Sequence, residues 1–206
     1  MSNNLRGLYV ITDDTLTPDA TLFEQVEAAL KGGATIVQLR DKHNPIKIVR
    51  EKAIKIQKLC HQYHALFVLN DKVDMAIELQ CDGLHIGKSD HERFDEIRKA
   101  FKGIIGISCY ADIPKAKDFQ DRGADYVAFG SFYTSPTKPT SNIIPLEIIR
   151  DAKKQLHIPV CAIGGININY IADIMEHKPD MVSIISDIWN AENIEKKSKF
   201  YTSQFH

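Results

Sequence analysis

This sequence predicts a single-domain (β/α)8 barrel spanning 1–206. The first reason is a repeat of texture. Eight short runs rich in Val, Ile, Leu and Phe alternate with longer stretches of helical spacing, the pattern of buried parallel strands joined by helices. The second reason is what the runs end in. Most finish in polar or Gly-rich residues, and a barrel of this kind gathers all its strand ends at one mouth. Length is the third: 206 residues lie at the short end for eight such units. An open doubly wound sheet also alternates strand and helix, but it usually needs fewer strands.

The strand runs are 7–12, 35–40, 66–70, 83–87, 104–108, 125–130, 159–163 and 181–186. Between the first two, Leu22, Val26, Ala29 and Leu30 recur on one helical face of 20–31. In 46–62 the same face is drawn by Val49, Ala53, Ile56 and Cys60, with Lys and Arg opposite. Gly32-Gly33 and Gly123 stand where helices should stop. The polar segment 190–206 reads as a closing helix with a frayed end, and 131–144 as a long loop rich in hydroxyls and charge.

Composition narrows the function classes. Apolar residues make up 44% and charged residues 26%, ordinary for a chain able to bury a core. A net charge of -1 argues against non-specific nucleic-acid binding. Cys60, Cys81, Cys109 and Cys161 are far apart and read as reduced thiols, with neither a Cys-x-x-Cys pair nor zinc-ligand spacing. The N-terminal Met-Ser-Asn-Asn-Leu-Arg has no signal-like apolar segment, and no run approaches the ~18 residues of a membrane span. A cytoplasmic protein is expected, with no nucleic-acid or membrane partner; homo-oligomerisation is left open.

The strand ends carry the chemistry. Gln38 and Arg40 are two apart, so both point into the barrel while Val37 and Leu39 face the helices. Lys42 follows in the loop, and Arg with Lys suits phosphate or pyrophosphate. For Lys42 alone a solvated surface position would be the simpler account. Asn70-Asp71 ends the third strand and Asp90 lies just past the fourth. Two carboxylates from adjacent loops can share Mg²⁺, which keeps several waters and takes phosphate oxygens. Each aspartate alone would serve equally as a helix N-cap.

Ser135-Pro136-Thr137-Lys138 places two hydroxyls and an ammonium in one loop, able to close on an anion or to be a surface turn. Gly164-Gly165 after the seventh strand admits close backbone approach, with the next helix adding its positive end. Ile185-Ser186 ends the eighth strand, and the loops after strands seven and eight are the usual phosphate site of a barrel. Ser108 ends the fifth strand, as ligand contact or as a satisfied core hydroxyl. His85 reads as core packing and Cys109 as structural.

Taken in order, these motifs resemble the thiamine phosphate synthase family over nearly the whole chain. The resemblance rests on Gln38-Leu39-Arg40-Asp41-Lys42, Asn70-Asp71, His85-Ile86-Gly87-Lys88-Ser89-Asp90, Ser135 to Lys138, Ile163 to Ile166 and Ile185-Ser186. It implies a Mg²⁺-dependent transferase of thiamine biosynthesis. Such an enzyme joins hydroxymethylpyrimidine pyrophosphate to a thiazole phosphate and releases pyrophosphate. By the same resemblance Gln38, Arg40, Lys42, Asn70, Ser108 and Lys138 contact the pyrimidine pyrophosphate, and Asp71 and Asp90 hold the metal. Arg40, Lys42, Lys138 and Ser108 carry the catalytic roles. Ser135, Pro136, Thr137, Gly165, Ile185 and Ser186 contact the thiazole phosphate.

The sequence departs from the family at Lys88, Thr134, Cys109-Tyr110 and Asp187. The last puts an acidic group beside the phosphate end, tolerable if it points away. Two alternatives remain: a thiazole tautomerase of the same superfamily, and a non-catalytic barrel that binds a phosphorylated metabolite.

Overall fold

Every apolar run read as a strand forms one. In the computed structural model, which describes residues 5–135 and 142–205, they are β1 (Gly7–Ile11), β2 (Ile36–Leu39), β3 (Leu66–Asn70), β4 (Gly83–Ile86), β5 (Ile104–Tyr110), β6 (Tyr126–Phe129), β7 (Val160–Ile163) and β8 (Met181–Ile184). They pair in parallel and in chain order, and β8 closes on β1. The helices are α1 (Leu22–Lys31), α2 (Ile46–Gln62), α3 (Val73–Glu78), α4 (Phe94–Ala100), α5 (Ile113–Asp121), α6 (Glu147–Gln155), α7 (Ile171–Glu176), α8 (Ser186–Trp189) and α9 (Ile194–Thr202). A 3₁₀ turn, Lys88–Arg93, precedes α4.

The two-residue period of the strands sorts side chains into two apolar layers. Leu8, Val10, Val37 and Leu39 face outward and pack with Val26, Val49 and Ile56 of the helices. Tyr9, Ile11, Ile36, Val68, Tyr126 and Met181 fill the barrel. Gln38 sits opposite Ile11 in the β1–β2 register and Asn70 opposite His85 in β3–β4, so polar residues at neighbouring strand ends share one level.

Helix α1 buries the four residues predicted for it. Helix α2 buries its predicted face and one residue more. The sequence places Lys52 with the solvent-facing Lys and Arg, but it is buried. Its ammonium reaches Asp41 at 2.7 Å and Asp19 at 2.5 Å. Two carboxylates from two different loops supply the charge that makes burial of an ammonium tolerable. Burial by itself would raise the Asp41 pKa, yet the hydrogen bonds from Lys52 and Asn44 outweigh it and hold the carboxyl below its ordinary value. This anchors the turn that carries Arg40 and Lys42.

The closing helix expected in 190–206 is α9, which ends in a short 3₁₀ turn, Ser203–Phe205. Helix α8 begins at once after β8, and its Trp189 donates Nε1–H to the Ile11 carbonyl at 2.6 Å, fastening the end of the chain to β1. Among the described residues no helix is long and apolar enough to cross a membrane.

Candidate active site

A cavity of about 670 Å³ opens where the strands end. Its wall includes Gln38, Arg40, Asn70, Ser108, Ser135, Gly165, Ile185 and Ser186, residues from six strand ends that the sequence singled out. Pro136, Thr137 and Lys138 lie outside the described residues. Lys42, Asp71 and Asp90 are not part of the wall; they stand beside it at the ends of β2, β3 and β4.

The β2 end is tied to β1. Thr12 donates its backbone N–H to the Gln38 carbonyl at 3.0 Å, and its hydroxyl accepts the Arg40 N–H at 3.0 Å. These bonds continue the ladder one step past the strands, so Arg40 leaves the barrel on a fixed path. Gln38 is buried, whereas Lys42 is half exposed.

At the β3 end Asp71 takes φ 60°, a left-handed conformation that Asp adopts more readily than most residues. Its N–H donates to the His85 carbonyl at 2.9 Å, which pins it against β4. The carboxylate accepts from Asn70 Nδ2 at 2.7 Å and lies 3.7 Å from the Lys42 ammonium. It does not cap α3, whose N-cap position is Lys72. Asp90 lies within the 3₁₀ turn after β4, accepts from the Ser89 hydroxyl at 3.0 Å and is 3.6 Å from Arg93. Among the described residues no three His, Cys, Asp or Glu gather into a metal cage. Two hard carboxylates, each in loose contact with one cation and partly open to solvent, fit a Mg²⁺ that takes its remaining ligands from water and phosphate.

Ser108 sits at a register shift between β5 and β6, a bulge that runs to Tyr110. Bulges beside active sites re-aim a side chain, and Ser108 Oγ here lies 2.9 Å from His85 Nε2. The expectation that His85 is only core packing is corrected: it lines the cavity and bonds to the hydroxyl predicted to meet a ligand. Cys109 is buried, and burial pushes its thiol up to about 12, so it is an inert neighbour.

On the opposite side, segment 131–134 crosses the turn after β7. A Cβ on Gly164 would overlap Ser131, and one on Gly165 would overlap the Tyr133 and Thr134 carbonyls. The glycines therefore serve this close crossing first. The expected helix end directly behind them is absent, because α7 starts only at Ile171. A smaller cleft of about 200 Å³ adjoins the cavity through Gly165, Ile166 and Ser186 and reaches Asp187 and Asn190. Asp187 turns to α9: its carboxylate accepts from the Tyr201 hydroxyl and from Lys197 at 3.1 Å. It lines the cleft with its carboxylate already paired.

Sequence reasoning missed several cavity residues. His91 and Lys115 line the cavity beside Lys88 and Tyr110, which the sequence marked only as departures from the family. Tyr9 and Tyr126 lie beneath the floor, joined to Gln38 and His85. The available signal was a tyrosine at an inward position of an apolar strand.

A sequence model of the thiamine monophosphate synthase family matches residues 8–188. The chain belongs to that family. A thiamine-phosphate synthase of Nitrosococcus oceani is 38% identical over 207 residues, covering 100% of this chain and 95% of that protein. One from Alcanivorax borkumensis is 45% identical over 167 residues, 80% of this chain and 76% of the other. Among solved structures, a thiamine phosphate pyrophosphorylase from Pyrococcus furiosus superposes with TM-score 0.88 at 33% identity, covering 98% of this chain and 96% of that one. A 3-hexulose-6-phosphate synthase reaches TM-score 0.73 at 13% identity, a likeness of fold alone. Membership of the thiamine monophosphate synthase family thus extends over all eight strands.

Proposed function

We propose that this chain is a thiamine phosphate synthase. It joins 4-amino-5-hydroxymethyl-2-methylpyrimidine pyrophosphate to hydroxyethylthiazole phosphate and releases thiamine phosphate and pyrophosphate. The observation that carries the reading is a family match over residues 8–188 whose strand ends converge on one cavity. The relatives are named thiamine-phosphate synthases and the similar solved barrel a thiamine phosphate pyrophosphorylase, and no observation favours the tautomerase or binding-module alternatives.

In the reaction the bond from the pyrimidine methylene carbon to the pyrophosphate oxygen breaks, and that oxygen keeps the electron pair. The thiazole nitrogen then supplies the pair for the new carbon–nitrogen bond. No proton has to be removed from either ring nitrogen, which agrees with a site built around cations and hydroxyls. Arg40, Lys42 and, from the loop beyond the described residues, Lys138 take the charge that develops on the leaving oxygens. Asp71 and Asp90 would hold Mg²⁺, which supplies further neutralisation of pyrophosphate. Lys42 is preset for this by its loose pairing with Asp71, which an incoming anion can displace. Gln38, Asn70 and Ser108 hold the pyrimidine end, and Ser135, Pro136, Thr137, Gly165, Ile185 and Ser186 the thiazole phosphate. Fixing the two rings in line converts a two-body encounter into one within the cavity.

The test is thiamine phosphate formation from the two purified substrates, with Mg²⁺ and with EDTA. Mg²⁺-dependent product is expected. A folded protein that forms none under either condition overturns the reading, and equal product under both removes the metal from it.

A further inference from the structure

Beneath the cavity floor runs a chain of five polar side chains, and the reading that follows rests on the pyrimidine site proposed above. Gln38 Nε2 donates to the Tyr9 hydroxyl at 2.6 Å. The Tyr9 and Tyr126 hydroxyls are 2.8 Å apart, Tyr126 is 2.9 Å from His85 Nδ1, and His85 Nε2 is 2.9 Å from Ser108 Oγ. Tyr9 and Tyr126 are fully buried. Burial pushes both phenols well above their ordinary pKa, so both stay neutral hydroxyls.

The Gln38 amide, with its Nε2 towards Tyr9, gives the chain its direction. Tyr9 accepts from Gln38, so its own hydrogen goes to Tyr126. Tyr126 then donates to His85 Nδ1, which places the histidine hydrogen on Nε2, and Nε2–H donates to Ser108. The Ser108 hydrogen is left for the cavity, as is the Gln38 carbonyl oxygen. The opposite order requires the Gln38 amide to turn over, so that its carbonyl meets Tyr9, and every bond of the chain to switch with it. A half-reversed chain would set two buried donors against each other, a cost of about 1–3 kcal/mol for one unsatisfied group. The five groups therefore keep one order together.

We propose that Tyr9, Tyr126 and His85 are positioning residues that present an acceptor at Gln38 and a donor at Ser108, selecting a 4-aminopyrimidine over its 4-oxo counterpart. A 4-aminopyrimidine offers an N–H beside an acceptor ring nitrogen. The 4-oxo ring offers a carbonyl beside a ring N–H, inverting both. The fold reserves space for this arrangement: a Cβ on Gly106, across from Tyr126 in the β5–β6 register, would overlap the Tyr126 ring and hydroxyl.

The experiment is calorimetric titration of the 4-amino and 4-oxo pyrimidine pyrophosphates, with Mg²⁺ and without thiazole phosphate, into wild type and Tyr126→Phe. Wild type should prefer the amino ring by about 100-fold or more, because a mismatched ring leaves buried groups unpaired. Tyr126→Phe cuts the chain, lets His85 and Ser108 reverse on their own, and should lower that preference about tenfold. Its Kd for thiazole phosphate should move by less than about twofold, since that end lies elsewhere in the cavity. Equal wild-type affinity for both rings overturns the proposal. So does a Tyr126→Phe variant that keeps the preference or weakens both rings alike. Should Tyr126→Phe fail to fold, Tyr9→Phe cuts the next link and the same outcomes apply. A wild type that binds neither ring and forms no thiamine phosphate overturns the proposed function itself.

Discussion

The rim and the floor of the cavity are built on opposite principles. At the rim, Lys42 with Asp71 and Arg93 with Asp90 stand at 3.7 Å and 3.6 Å, partly open to water. On the floor, Gln38, Tyr9, Tyr126, His85 and Ser108 are linked by bonds of 2.6–2.9 Å. Loose, hydrated charge pairs are weakly held and can be exchanged for a ligand's phosphates. Tight buried bonds cannot rearrange cheaply, so they suit the reading of a ring edge. Loose charge pairs and tight buried bonds are thus separated by depth in one barrel.

The largest effects should come from the rim. Arg40→Ala and Asp71→Ala are each expected to lower kcat/KM for the pyrimidine substrate by about 100-fold or more in initial-rate assays, the scale of losing one transition-state charge contact. Added Mg²⁺ should not restore Arg40→Ala. Loss of less than about threefold in either variant would detach the rim from the leaving group.

A stability effect should come next. Lys52→Met removes the cation that lets Asp41 stay ionised and buried, and should cost about 3 kcal/mol in urea unfolding at pH 7. Asp41 has a lowered folded pKa. Its contribution is therefore full above the ordinary carboxylate pKa of about 4 and disappears as pH falls through the lower folded value. The gap between wild type and variant should shrink over the same acidic range. An equal gap at pH 7 and about pH 3 would mean Asp41 is not the linked group.

The smallest effect belongs to the acceptor end. Asp187 is held by Lys197 and Tyr201, so Asp187→Asn should change KM for thiazole phosphate by less than about threefold. A larger improvement would show that the carboxylate repels the substrate after all.

The rim was legible in the sequence and the floor was not. Arg40, Asp71 and Asp90 each follow an apolar run, and barrel closure alone brings such positions together. All eight strands were visible for the same reason, since Val-, Ile- and Leu-rich runs at regular spacing have few other uses. Tyr9, His85 and Tyr126 sit inside three such runs and look like core. Only the closed register, which sets β1, β4 and β6 around one axis, turns them into a connected chain. Lys52 escaped in the same way: helical spacing places it beside the apolar face, but its partners Asp19 and Asp41 come from two separate loops.

The division of labour is tested most directly by inhibition. The Ki values of inorganic pyrophosphate and of the free hydroxymethylpyrimidine would be measured against wild type, Arg40→Ala and Ser108→Ala. Arg40→Ala should raise the pyrophosphate Ki about tenfold and leave the pyrimidine Ki within about twofold, with Ser108→Ala doing the reverse. Two variants that raise both constants alike would contradict the separation of rim from floor.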